Sequence, residues 1–516
     1  MKPITIFNLQ VNKKLLFLFS CSIIICIITA FKHEMWGDEA QGFLIASDSA
    51  FFSDLFKNVR YEGHPSLWHL LIKLSIFFIP HFYVVQVLNV LAGIGIFTII
   101  YFYSPFRLYQ KFLIASSYFI SYEWIIVSRC YAIGVFFLLL ALVFNQRMQQ
   151  ESKYIFIAVA LGLAINSSGH AMIVGVCLGA YLFLSEVNTR QLFLQLFSGK
   201  KLTGIFILAL SLGLYLLQTY PPADRLGEEK VNHWNAPAFH KLTYSLTNLT
   251  KGFFFIQRLQ KEQPIWQNDM VVNKYSGHLT IAGKSASDIF YLLAGLICFI
   301  LICVFFTRKQ SLFFFTGATA MLFLGNYQSP YGLNLRHSGF YFLAFIIALW
   351  FDTKKTAPQK KMNFILGGIL ILQFISSLVI HVAEWKYQFS NAKETGRYLK
   401  ENHFDTLKIL GHFWQALPVI AYAETKNYVL VESGHLTSFI KMDTVQYNEN
   451  LIASANPQRF AVEAKRSGAD ILLLTPADTI PSPESLGYVR LKAFNGQSIQ
   501  YFEKYIVYKK VQAKAL

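Results

Sequence analysis

Acidic residues are scarce in this 516-residue chain: 29 Asp and Glu stand against 46 Lys and Arg, and charged residues make up 15% of the total. Soluble domains carry about a quarter charged residues, so a water-covered fold cannot account for the whole chain. Cysteine is rarer still. The six present, Cys21, Cys26, Cys130, Cys177, Cys298 and Cys303, all lie in or beside apolar runs, which excludes a disulfide framework and any zinc-ligand spacing. Several motifs are missing as well: no Gly-rich phosphate loop of the Walker type, no HExxH, no CxxC pair and no DxD. Neither an internal repeat nor a low-complexity tract is present, which argues against a solenoid and against a duplicated core.

What is abundant is apolar and aromatic side chain, 54% and 16% of the chain. Apolar stretches of spanning length, separated by short basic clusters, mark a polytopic membrane protein. The net charge of +17 does not point to nucleic acid, because the basic residues fall between apolar runs, where they read as cytoplasmic loops.

Lys13-Lys14 precede LLFLFSCSIIICIITAF, and no small-residue cleavage site follows before MWGDEA, so this segment is expected to be an uncleaved first span. Residues 50–60 alternate apolar and polar groups at helical spacing, as in a helix lying at an interface. The apolar run 66–80 is too short to cross, since a spanning helix needs about 20 residues. If it does not cross, later spans fall at 82–103, 112–127, 131–146, 154–168, 170–185, 202–220, 288–307, 311–327, 337–351 and 362–382. The basic connections at Arg107/Lys111, Arg147/Lys153, Arg190/Lys200/Lys201, Arg308/Lys309 and Lys354/Lys355/Lys360/Lys361 then share the cytoplasmic side with Lys13/Lys14. The expectation is an all-α domain of about eleven spans over residues 1–382.

This parity puts three polar regions outside: the first loop at 32–81, a larger loop at 221–287 and everything after 383. The 221–287 loop shows no clear periodicity and is expected to be a mobile flap. Residues 383–516 change composition. Helix-like NAKETGRYLKEN and 457–467, with strand-like LKILG, NYVLV and ILLLT, predict a small extracytoplasmic α/β domain.

Ionisable groups gather on that outer side. Asp38 and Glu39 follow the first span, Glu62 and His64-Pro65 precede 66–80, and Glu123 with Arg129 and Tyr131 sits at the next outward end. His170 and Arg336-His337 emerge there too. A charge at such depth is costly without a partner, so the cluster is a candidate site.

Trp36-x-Asp38-Glu39, Glu62-Gly63-His64-Pro65 and Glu123 with Arg129-x-Tyr131 resemble, in order and sidedness, the GT-C integral-membrane glycosyltransferases, over roughly residues 14–350. That group includes the lipid A aminoarabinose transferase and the protein O-mannosyltransferases. It often carries an aspartate where this chain has Glu123. The resemblance implies that Asp38 is the base activating the acceptor. It also implies that Glu62, His64, Arg129 and Arg336, with Tyr131 beside them, hold the phosphate of a polyprenyl-phosphate sugar donor.

Elementary chemistry agrees with those roles. A phosphate leaving group needs cations as the bond to C1 breaks, which suits Arg129, Arg336 and a protonated His64. The acceptor hydroxyl needs a positioned carboxylate, Asp38, with Glu39 or Glu123 orienting the acceptor or holding a divalent metal ion. The expected function is inverting sugar transfer to an envelope acceptor, whether glycan, lipid or protein, on the outer face of a bacterial inner membrane. The alternative from another class is a transporter or flippase of a lipid-linked glycan, which repeated halves and polar groups at the bilayer midplane would favour. A membrane-anchored binding protein would leave the four acids without a role.

Overall fold

The computed structural model describes residues 12–184, 199–225, 238–257, 266, 280–281, 284–328, 335–355, 360–431, 434, 436, 438–443, 457–476, 482–500 and 503–511. Asn12 starts helix α1 (Lys13–Lys32) by accepting from the Lys14 N–H at 2.9 Å. The end of this helix is buried, and Gln86 satisfies it by donating to the carbonyls of Ala30 and His33 at 3.0 and 2.9 Å. Four runs are long and apolar enough to cross a membrane: α1, residues Val84–Tyr103, Gly199–Thr219 and Lys360–Lys386. By composition and length this is a membrane protein.

Helices occupy the other places where spans were expected, at Tyr131–Arg147, Lys153–Ile165, Gly169–Leu184, Ala286–Phe305, Lys309–Gln328 and Leu335–Lys355. The expected total of about eleven crossings is a larger claim than the four long apolar runs carry. One of those places differs in kind. The expected span at 112–127 is a short helix, Leu108–Ala115, followed by a π-helical turn, Tyr118–Trp124. Ser117 lies at the break, and its hydroxyl donates back to the Ile114 carbonyl at 2.7 Å, a bond that competes with the helix ladder. Gly199–Thr219 is peripheral, with Gly204 its one buried residue.

Between α1 and the next long helix lie α2 (Gly37–Asp48), α3 (Phe52–Val59) and α4 (Leu67–Ile76). As the amphipathic pattern predicts, α3 buries Leu55 and Val59 and exposes Phe51, Phe52 and Phe56 around them. Ten residues of α4 reach only about 15 Å, too little to cross. Instead α4 packs on α2, and Gly42 permits the approach, since a Cβ there would stand 3.3 Å from the Trp68 indole nitrogen.

In the large polar loop, Ala238–Phe253 forms a helix the sequence did not announce. Its Asn248 accepts from the Ser338 hydroxyl at 3.0 Å, and Leu249 and Phe253 are buried. A two-residue hairpin, β1 (Thr280–Ile281) with β2 (Lys284–Ser285), closes what is described of that loop. The flap expected across 221–287 falls largely outside the described residues.

After the last long helix the chain builds a five-stranded sheet in the order β4-β3-β5-β7-β6. Strands β3 (Ile409–Gly411), β4 (Tyr428–Leu430) and β5 (Ile471–Leu474) are parallel; β6 (Tyr488–Phe494) and β7 (Tyr505–Lys510) run antiparallel. Alternation divides the central strands between two cores. Leu410, Val429, Leu472 and Leu474 pack with Phe460 and Ala464 on one face. Ile409, Leu430 and Leu473 turn to the other, joining Leu417 and Ile420 of helix Phe413–Ala423 and the core of the membrane helices. Burial on both faces is what makes these strands continuous apolar runs. Helix Phe413–Ala423 in turn docks on the segment that follows α1, where the Tyr422 hydroxyl accepts from the Met35 N–H at 2.9 Å.

Candidate active site

Asp38 stands in the first turn of α2, where the helix dipole favours a carboxylate. Its Oδ2 accepts from Arg129 Nη1 and from Arg336 Nη2, the latter at 2.9 Å. The three side chains are 15%, 12% and 4% exposed, so this is a largely desolvated cluster. Burial pushes the Asp38 carboxyl up, but the attraction of Arg129 and Arg336 outweighs it and holds the group below its ordinary value. Arg336 has donors to spare: its Nε and Nη1 are buried without an acceptor among the described residues. Both guanidinium groups lie by the Tyr131 ring, at 5.9 Å for Arg129 and 5.8 Å for Arg336, and Arg336 also lies 6.0 Å from the Trp36 ring.

The turn carrying Arg129 is fixed from two directions. Asn89 donates to the carbonyls of Trp124 and Val127 at 2.9 and 3.3 Å, and the Ser128 N–H donates to Glu39 Oε1 at 2.5 Å. Arg336 is placed by Trp124, whose indole nitrogen donates to the Arg336 carbonyl at 3.2 Å.

Glu62, His64 and Pro65 line the same small cleft with Asp38, Trp68, His69, Arg129 and Cys130. Their loop is tethered from outside. The Tyr61 hydroxyl donates to Asp224 at 2.8 Å, and the Ser66 N–H donates to Gln218 at 2.8 Å. Gly63 takes φ of +69° facing Arg225, a left-handed conformation that glycine adopts without steric cost. Burial pushes the Glu62 carboxyl up to about 6, even though Gln41 donates to it at 2.6 Å. His64 departs from the expectation of a cation: burial, with repulsion from Arg129, pushes it down to about 3, so it is neutral here.

Two of the expected acids face elsewhere. Glu39 turns away from the cleft, its Oε2 accepting from the Trp36 N–H at 3.0 Å and lying 3.2 Å from His33 Nε2. Glu123 is fully buried and accepts from the Tyr118 hydroxyl at 2.8 Å and the Trp266 indole at 3.1 Å. One link from Glu123 to the site is indirect, through the Trp266 ring, which packs edge-on against Trp36 at 4.7 Å. Tyr131 donates to or accepts from His337 at 2.9 Å, and His337 stacks on His170 at 4.3 Å. Among the described residues no three His, Cys, Asp or Glu side chains group so as to hold a metal ion. The acids considered for a divalent ion, Glu39 and Glu123, therefore do not converge with Asp38 on one point.

The structure adds residues that sequence reasoning missed. Gln41 joins Glu62 to the C-terminal segment at Ile440. Glu503 accepts from the Gly37 N–H at 3.0 Å and caps the helix that carries Asp38. His33 and Glu384 pair beneath the site. A histidine and a glutamate ending an apolar run, His33-Glu34, was the available signal for the third; nothing near Gly37 in the sequence foretells Glu503.

No family profile matches this sequence, and no curated protein matches it. Two solved structures align with most of the chain. One is ArnT from Cupriavidus metallidurans bound to undecaprenyl phosphate, 10% identical, covering 96% of this chain and 98% of its own, with a TM-score of 0.44. The other is the apo oligosaccharyltransferase of Archaeoglobus fulgidus, 12% identical, covering 89% of this chain and 69% of its own, also at 0.44. Both scores are below 0.5, and what the site can do rests on its own residues.

Proposed function

We propose that this protein is a membrane-embedded glycosyltransferase that takes a sugar from a polyprenyl-phosphate carrier and passes it, with inversion, to a hydroxyl group of an envelope acceptor on the outer face of a bacterial inner membrane. The observation that carries this reading is Asp38 Oδ2 shared by Arg129 and Arg336, with further Arg336 donors buried and unused beside it.

The acceptor oxygen attacks C1 from the side opposite the phosphate, and its proton passes to Asp38. The bond from C1 to the phosphate oxygen breaks, and its electron pair leaves with the phosphate, which gains a negative charge. Two guanidinium groups are suited to that gain, because preorganised donors in a water-poor site stabilise developing charge without reorganising. Neutral His64 and the Gln41-bound Glu62 line the same cleft and would contact the sugar or acceptor by hydrogen bonds. An apolar surround suits a donor delivered from lipid.

Purified full-length protein in lipid, supplied with polyprenyl-phosphate sugars and envelope acceptors, tests the reading. Asp38→Asn should lower transfer by roughly 10²–10⁴-fold while donor binding survives. If Asp38→Asn transfers at the normal rate, Asp38 is not the base.

A further inference from the structure

Both ring nitrogens of His33 face carboxylate oxygens, Nδ1 at 2.8 Å from Glu384 Oε1 and Nε2 at 3.2 Å from Glu39 Oε2. All three side chains are fully buried. An ionised carboxylate only accepts, so the ring meets both partners by donating from both nitrogens, which makes it an imidazolium. Burial acts against that charge, and Glu384 and Glu39 outweigh burial, pushing His33 up to about 10.

The two ends of this bridge are anchored differently. Glu384 lies on the last long helix and also accepts from the Tyr122 hydroxyl at 2.7 Å. Glu39 ends on two backbone segments of the cleft: it accepts from the Trp36 N–H at 3.0 Å, at the start of the helix bearing Asp38, and from the Ser128 N–H at 2.5 Å, next to Arg129. Among the described residues, His33 is the one side chain hydrogen-bonded to the carboxylate that sets these two segments.

We infer that His33 is a positioning residue: held between Glu384 and Glu39, it orients Glu39 so that a single carboxylate sets the backbone of both Asp38 and Arg129. The inference rests on the reading of Arg129 and Asp38 as the phosphate-binding and proton-accepting groups. It also reassigns Glu39, which the sequence places beside Asp38 as a second acid, to a role behind the cleft.

The test is binding of undecaprenyl phosphate in mixed micelles to the full-length protein, to His33→Gln, to Arg129→Ala and to the double variant. A glutamine donates to one carboxylate but turns its oxygen toward the other, so Glu39 is released. His33→Gln should weaken binding roughly 10-fold in the native background, because small misplacements of a binding group are costly. In the Arg129→Ala background it should change binding by less than about two-fold, since the group it positions is gone. Equal weakening in both backgrounds marks a merely structural role and overturns the inference, as does unchanged binding by His33→Gln. Glu384→Leu, which removes the acceptor facing His33 Nδ1, should repeat the pattern, and covers the case in which His33→Gln does not fold. If the unsubstituted protein does not bind the probe, the functional reading fails and takes the inference with it; normal binding that His33→Gln and Glu384→Leu leave intact overturns the inference alone.

Discussion

Gln41 and Ile440 exchange two hydrogen bonds, the side-chain amide donating to the Ile440 carbonyl at 2.7 Å and accepting from its N–H at 3.0 Å. The same amide nitrogen donates to Glu62 at 2.6 Å. One side chain on the helix of Asp38 therefore ties the C-terminal part to the loop that carries His64. Gln41→Leu should leave buried partners unsatisfied, at a cost of about 1–3 kcal/mol for each such group. Faster hydrogen exchange at 438–443 and a lower unfolding midpoint are the expected signs. Unchanged exchange there would mean that the contact does not hold the domain.

The paired arginines lead to a second expectation. Arg336→Ala and Arg129→Ala should each weaken binding of a polyprenyl phosphate by roughly 10–100-fold, the worth of a hydrogen bond to a charged group. Arg129→Lys should recover part of that loss, because the charge returns without the planar fork. Calorimetry on the three variants distinguishes these outcomes. Should both alanine variants bind normally, the guanidinium groups serve Asp38 alone.

Glu503 gives the docking of the C-terminal part a pH dependence. Burial, reinforced by Glu39 and Asp38, pushes its carboxyl up to about 8 from the ordinary 4.5. The folded state thus favours the proton-bound form. Its stabilising contribution is complete below pH 4.5 and is lost as pH rises through about 8. Glu503→Gln, which resembles the neutral carboxyl, should flatten the fall in unfolding midpoint between pH 5 and 8, a range spanning roughly the two values. A variant that falls as steeply as the original would place the titration elsewhere.

The cleft was legible in the sequence to the extent that charges in an apolar chain are conspicuous. Asp38, Glu62, His64 and Arg129 were found that way, and the structure brings all four to one cleft. Arg336 joined them as a cation on the same side. What the sequence could not supply was direction. Asp38 and Glu39 are adjacent, and only the local backbone decides that Glu39 reaches back to the Trp36 N–H while Asp38 projects to the arginines. Long-range partners were equally hidden, since Glu503 and Gly37 are 466 residues apart. In the C-terminal sheet the buried parallel strands announced themselves as apolar runs. Strands β6 and β7 did not, because exposed Arg490 and Lys492 and the half-buried Lys509 interrupt their pattern.

Sidedness is open to direct measurement in cells. The parity argument expects Glu484→Cys, at an exposed position in the C-terminal part, to react with a membrane-impermeant maleimide in intact cells. Gln150→Cys, in an exposed connection that the same parity puts on the opposite side, should react only after permeabilisation. The reverse pattern would put Asp38 on the cytoplasmic face and remove an outward-facing site.

Glu123 separates a catalytic acid from a supporting one. It is fully buried, and the hydroxyl of Tyr118 and the indole of Trp266 both donate to its Oε2. Trp266 in turn braces Trp36, whose ring lies by Arg336. If support is its role, Glu123→Gln keeps an oxygen where both donors point, so the support survives the swap. The expected result is stability within about 1 kcal/mol of the original, with transfer and donor affinity close to normal. A catalytic acid predicts transfer lowered by roughly 10²-fold or more at the same stability. Measuring both quantities on one preparation, beside Asp38→Asn as the reference for a lost base, decides whether the second acid of this chain acts on substrate or holds the aromatic wall behind it.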